Sequence, residues 1–154
     1  MKPQEYERFD TLAELIDHLQ ATSCAGETKA AVRKKALQRL PQESAFQKDI
    51  LDYMQDTLPI EVPGVKVKAF KLQAGPYMQG GLPDVWAVIK TPEMRYGKVF
   101  CFEVKRPYVG KASPLQKKQI AELIAAGAAA RQVIYVNDVR RALTEHGIIK
   151  RRGL

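Results

Sequence analysis

The sequence predicts an α/β fold, a mixed sheet flanked by helices behind an N-terminal helical extension, and three observations point to it. Apolar residues recur at helical spacing between Leu12 and Met54; from Val65 the period drops to two; and a further helical stretch separates the third strand-like run from a fourth. The order is therefore helix, three strands, helix, strand, helix. A chain of 154 residues is long enough for one domain with an appendage, since domains commonly run to roughly 100–200 residues. Residues 1–40 form the extension and 41–154 the domain.

Each element has its own signal. Thr11 caps a helix whose apolar positions are Leu12, Leu15, Ile16 and Leu19, with Glu14 completing a capping box. Ser, Cys and Gly break that period between Ala21 and Gly26, and a second helix runs from about Thr28 to Leu40. Pro41 opens a third, which carries Phe46, Ile50, Tyr53 and Met54 as a buried stripe and places Glu43 at the edge of that stripe. Pro59, Pro63 and Gly64 end it.

The first strand spans Val65 to Gln73, where the switch of apolar residues from Val67 and Ala69 to Phe70 and Leu72 predicts a register change. A loop rich in glycine and proline (Gly75, Pro76, Gly80, Gly81, Pro83) leads to a strand from Asp84 to Lys90. A turn through Pro92 and Gly97 then leads to a third strand, Lys98 to Lys105. Such short connections imply an antiparallel meander. Ser113 and Pro114 start a helix that ends at Gly127. The run from Arg131 to Val136 reads as a buried strand, and Asn137 or Asp138 caps a last helix from Val139 to Glu145. Lys150, Arg151 and Arg152 form a basic tail.

Composition narrows the function. Hydrophobic residues at 45% and charged residues at 27% are ordinary for a soluble globule and exclude disorder as the main state. No apolar run approaches the roughly 18–20 residues of a membrane span, and no basic segment followed by an apolar one marks a secretory signal, so the cytoplasm is the expected location. Cys24 and Cys101 stand in no metal-ligand spacing and are expected reduced and packed. His18 and His146 fit neither a zinc-hydrolase nor a Ser-His-Asp pattern, which leaves carboxylates and lysine for any catalysis. The net charge of +8 suggests an anionic partner, nucleic acid before membrane. It is uneven: Lys2 and Arg8 stand against Glu5, Glu7, Asp10, Glu14 and Asp17, so the excess positive charge lies beyond the first twenty residues.

The sharpest chemical feature is Pro83-Asp84 followed by Glu103-Val104-Lys105. Alternation along a strand puts Glu103 and Lys105 on one face and Val104 on the other, and Asp84 begins the neighbouring strand within reach of the same space. Phosphodiester hydrolysis needs charge neutralisation at the phosphoryl oxygens, an activated water and help for the leaving alkoxide. Hard carboxylate oxygens suit Mg²⁺ or Mn²⁺, and Lys105 can position or deprotonate a water, or hold a phosphate oxygen. The bland alternative is a solvated strand pair. Against it, the run Phe100-Cys101-Phe102-Glu103-Val104-Lys105 is apolar around its charges, and buried charges are costly without a ligand.

With these motifs in place, together with Glu43-Ser44-Ala45-Phe46-Gln47, Gly81-Leu82-Pro83-Asp84-Val85, Ser113-Pro114-Leu115-Gln116 and the closing Val133-Ile134-Tyr135-Val136-Asn137-Asp138-Val139, the chain resembles the PD-(D/E)xK nuclease superfamily and, within it, the VRR-NUC family. The resemblance spans about residues 41–146. It implies a restriction-endonuclease-like core ordered α-β-β-β-α-β, and a divalent-metal-dependent endodeoxyribonuclease selective for branched DNA such as Holliday junctions. It further implies Asp84, Glu103 and the Val104 carbonyl as ligands of Mg²⁺ or Mn²⁺, Lys105 as the catalytic lysine, and Gln116 as a contact to the site or the scissile phosphate. Glu43 is either a further ligand or an acid favoured by the helix dipole. The short chain is similar to stand-alone phage and bacterial members that resemble homodimeric junction resolvases, and a dimer would offer two sites to a two-fold junction.

Lys111, Lys117, Lys118 and Arg106 are candidate DNA contacts, each individually also readable as a solvated charge. Trp86 either packs in the core or stacks on a base. Two other functions remain open from sequence: a nickase with little structural preference, and a nuclease-fold module that binds DNA or a protein without catalysis.

Overall fold

The computed structural model describes residues 1–151, so Arg152 of the basic tail lies outside the described residues. A 3-10 segment, Pro3–Arg8, precedes helices α1 (Leu12–Ala21) and α2 (Lys29–Arg39). The α1 cap follows the sequence: Thr11 Oγ1 accepts from the Glu14 backbone N–H at 3.2 Å, and the Glu14 carboxylate accepts from the Asp10 and Thr11 N–H groups. Helix α3 (Glu43–Asp52) passes through a π-helical turn, Tyr53–Thr57, into a short α4 (Leu58–Glu61). Phe46, Ile50, Met54 and Leu58 are fully buried along this run. The π turn lets the stripe continue past the point where a 3.6-residue period would rotate it off the sheet.

Strands β1 (Lys66–Lys71), β2 (Val85–Lys90), β3 (Lys98–Val104) and β4 (Ala129–Val133) form one four-stranded sheet in that order. The first two pairings are antiparallel, and β3 pairs β4 in parallel through α5 (Pro114–Ala125). Helix α6 (Val136–Glu145) follows. The chain is thus α/β, a mixed sheet flanked by helices. No helix among the described residues is long and apolar enough to cross a membrane.

The main core lies between one sheet face and the helices α3 and α6. Val85, Ala87, Ile89, Phe100, Phe102 and Val104 meet Phe46, Ile50, Val139, Ala142 and Leu143 there. Helix α5 lies on the opposite face, over β3 and β4.

Three sequence expectations are corrected. β1 shows no register change: its pairing runs unbroken from Lys66↔Lys90 to Lys71↔Val85, which places Phe70 on the face away from the core, 40% exposed. The last strand begins at Ala129 and stops at Val133, because the Asp138 carboxylate accepts from the backbone N–H groups of Ile134 and Tyr135, both at 2.9 Å, and turns the chain into α6. That helix accordingly starts at Val136, with Tyr135 as its N-cap residue.

Candidate active site

Backbone pairing brings the site together at one end of the sheet. The Asp84 carbonyl accepts from Leu72 N–H at 2.7 Å, which ties the start of β2 to the end of β1. Asp84 Oδ2 accepts from the Val104 N–H at 3.0 Å, so the carboxylate is locked onto β3 between Glu103 and Lys105. Its other oxygen, Oδ1, is the one it can offer to a ligand.

Alternation then acts as expected: Glu103 and Lys105 share a face, and Lys105 Nζ lies 2.5 Å from Glu103 Oε1. Glu103 is fully buried and Lys105 nearly so. Gln116 closes the site from α5. Ser113 Oγ accepts from its N–H and its Oε1 accepts from Ser113 N–H, a capping box, while its Nε2 donates to Glu103 Oε1. One glutamine therefore both starts the helix and holds the carboxylate.

Glu103 Oε2 is buried with no partner among the described residues. An unsatisfied buried acceptor costs on the order of 1–3 kcal/mol, more when charged. Burial pushes the Glu103 carboxyl above its ordinary range, and the neighbouring charges of Asp84 and Glu43 add to this, while the bond to Lys105 opposes it. Glu43, in the first turn of α3, is likewise raised, first by burial and then by Asp84, against the pull of Lys105, Arg106 and Lys71. Burial alone would lower the pKa of Lys105, but its bond to Glu103 and the three surrounding carboxylates outweigh this and raise it. Lys105 is thus an ammonium in this arrangement.

This donor set suits a hard cation. Mg²⁺ keeps several waters and is held through one or two carboxylates rather than an all-protein cage. The open oxygen of Asp84 and the orphaned Oε2 of Glu103 match that demand. Among the described residues no three His, Cys, Asp or Glu side chains gather into a complete metal cage.

Two residues to which the sequence assigned no role of their own, Gln47 within the Glu43 motif and Lys71, shape the same space. Gln47 Nε2 lies 3.4 Å from Glu43 Oε1, and Gln47 Oε1 is a second buried acceptor without a partner among the described residues. Lys71, at the end of β1, acts on Glu43 electrostatically. The i, i+4 spacing of Glu43 and Gln47 on a helix, within the quoted motif, was the signal for the first.

The candidate DNA contacts separate. The Arg106 guanidinium donates to the carbonyls of Pro41 (2.9 Å) and Leu40 (3.0 Å). This clamps the start of α3, and with it Glu43, to the end of β3, and commits those donors to protein. Lys111, Lys117 and Lys118 are exposed, the last near Glu122 at 3.8 Å. Gly110 lets the chain turn back just after Lys105: a Cβ there would sit 2.7 Å from the Arg106 carbonyl oxygen and 2.9 Å from Lys105 Cβ. Trp86 is half-buried, with Nε1 donating to the Pro83 carbonyl at 2.9 Å.

Cys101, on the Glu103 face of β3, is buried, and burial raises its thiol to about 11, so both the packing and the chemistry leave it inert.

Comparison with known proteins adds little to this geometry. No family model matches the chain. No curated protein matches it either. A solved structure titled "VRR_NUC domain" is similar at 25% identity, covering 68% of this chain and 96% of that one, with a TM-score of 0.45.

Proposed function

We propose that the chain is a divalent-metal-dependent endodeoxyribonuclease of the PD-(D/E)xK type, similar to VRR-NUC enzymes, which hydrolyses phosphodiesters by water attack and prefers branched DNA such as Holliday junctions. The observation that carries this reading is the buried Glu103. It is bonded through one oxygen to Lys105 and Gln116, buried and unpaired among the described residues at the other, and set beside Asp84 and Glu43.

Asp84 and Glu103, with the Val104 carbonyl and Glu43, would hold a Mg²⁺ or Mn²⁺, which supplies charge neutralisation at the phosphate and a more acidic bound water. The chain's own groups do the rest. Lys105, as an ammonium, holds a phosphate oxygen or orients the attacking water as a point charge. Gln116 fixes the Glu103 rotamer, so the carboxylate does not turn away when substrate arrives. Lys111, Lys117 and Lys118 add positive charge beside the site for the DNA backbone. A homodimer would set two such sites against the two-fold symmetry of a four-way junction.

The test is cleavage of a labelled four-way junction beside a linear duplex of equal length, in Mg²⁺, Mn²⁺ or chelator. Metal-dependent cutting of the junction is expected. Asp84→Ala should abolish it, and Lys105→Ala should slow it by on the order of a hundredfold or more with junction binding kept within a few fold. Equal cutting of both substrates would identify a general nickase; tight binding without cutting in any metal would leave a DNA-binding module.

A further inference from the structure

The sheet face that carries Glu103 is only half covered. Helix α5 packs on β4 and reaches Glu103 of β3 through Gln116, whereas Lys66, Lys68, Phe70 and Val88 on the β1–β2 half are exposed. Antiparallel register fixes what that half displays: Phe70 stands opposite Trp86, Lys68 opposite Val88, and Lys66 opposite Lys90. Trp86 in turn stands opposite Cys101, two residues before Glu103 on the same face. Asp84, two residues before Trp86 and on the same face, is half-buried, so the exposed half of the sheet borders the candidate active site.

Two properties of this surface point to one occupant. The first is apolar and aromatic exposure: Phe70 is 40% and Val88 43% exposed, next to the half-buried Trp86, whose ring is oriented by its bond to Pro83. The second is charge. Neither β1 (KVKAFK) nor β2 (VWAVIK) contains an acid, and Lys66, Lys68 and Lys90 make no ion pair among the described residues. A second copy of the chain seated here in two-fold fashion would press lysine against lysine. Aromatic rings spaced across neighbouring strands and bordered by unpaired lysines are instead what unpaired bases and their phosphates fit.

Resting on the nuclease reading, we propose that the β1–β2 face binds a single-stranded DNA segment beside the active site, with bases stacked on Phe70 and Trp86 and phosphates on Lys66, Lys68 and Lys90. Sequence preference is not required, because every base offers a π-face. This assigns the substrate a paired part that reaches the carboxylates and an unpaired arm that lies along the sheet.

Trp86 is the only tryptophan of the chain, so its fluorescence reports the face directly. The full chain is titrated in chelator with a single-stranded oligothymidylate about 20 nucleotides long and with a duplex of equal length. Trp86 emission and the anisotropy of labelled DNA are followed together. The single strand should quench Trp86 and the duplex should not. Phe70→Ala, at an exposed position, should weaken single-strand binding about tenfold and leave duplex binding within twofold. Lys66→Ala with Lys68→Ala should lower the salt dependence of single-strand binding by about one to two contacts.

Absence of quenching, or unchanged single-strand binding in Phe70→Ala, overturns the proposal. So does a loss of self-association in Phe70→Ala, measured by sedimentation, with DNA binding unaltered, because the face would then join copies of the chain. Binding is read without metal and cleavage with it. A protein that cuts DNA without quenching fails this proposal alone, and one that quenches but never cuts fails the nuclease reading alone.

Discussion

Glu103 and Glu43 burden the fold that holds them. Both carboxyls bind protons more tightly in the folded chain than they ordinarily would, because burial disfavours their charge and Asp84 repels it. The sign of the linkage follows. A raised folded pKa means stability that is complete below the ordinary carboxylate value and is lost as pH rises through the folded one. In chelator, Glu43→Gln should therefore raise Tm at neutral pH, and the gain should vanish as the pH falls towards about 4. A cation bound at the site relieves the same burden. At about 100 times its Kd, Mn²⁺ would add about 2.7 kcal/mol, or roughly 5–10 °C in Tm for a chain of this length. Thermal melts with Mn²⁺ and with chelator check this, and an unchanged Tm would remove the cation from the site. Asp84→Ala, which removes one donor, should reduce the shift.

At the scale of elements, the Gly-rich loop and α5 have to be considered together. Gly81 has φ of 78°, a region that favours glycine, and a Cβ there would lie 2.6 Å from Leu115 Cγ and 3.1 Å from the Leu115 carbonyl carbon. The loop that delivers Asp84 thus rests on the first turn of the helix that delivers Gln116. Gly81→Ala should cost about 1–2 kcal/mol from the backbone conformation, with the contact to Leu115 added. In a Leu115→Ala background only the side-chain part of that contact is recovered, and urea denaturation of the two single variants and the double variant separates the terms. Much at this scale was legible in sequence, because periodicity and caps are local: the Thr11 and Ser113 caps, the meander, and the alternation that puts Glu103 beside Lys105. The end of β4 was not. Ile134, Tyr135 and Val136 are apolar like the strand before them, and only the Asp138 carboxylate, which takes two backbone N–H groups, turns them into a helix start. The π turn at Tyr53–Thr57 was also hidden, since Tyr53 and Met54 satisfy a helical stripe with or without it. Arg106 reads as one more surface cation until its partners, more than sixty residues earlier, are known.

Considered as a whole, the molecule does not keep the first forty residues apart. Tyr6, Leu15, Ala36 and Leu40 form a buried cluster against which Tyr108 and Tyr135 pack. Tyr108 holds a positive φ of 66°, rare for a residue with a Cβ, and its hydroxyl lies 3.0 Å from the Phe9 carbonyl and 3.2 Å from that of Tyr6. The strained turn that follows Lys105 is therefore anchored from the N-terminal segment, and Arg106 takes its second carbonyl from Leu40. Helical periodicity in 12–40 showed that these helices bury a stripe but not what they bury it against; that depends on contacts about a hundred residues apart. Removal of residues 1–40 should consequently expose Tyr108 and Tyr135, release the turn beside Lys105 and leave a fragment that melts broadly or aggregates. Tyr108→Phe is the gentler variant. It keeps the ring and loses only the hydroxyl, at about 1 kcal/mol, so it should fold with a slightly lowered Tm. Circular dichroism melts of the fragment and of Tyr108→Phe beside the full chain decide the matter. A fragment 41–154 that unfolds cooperatively at the Tm of the full chain would show that the N-terminal helices are an appendage, whereas loss of cooperativity in the fragment with a modest shift in Tyr108→Phe would make them part of the structure that holds Lys105 in place.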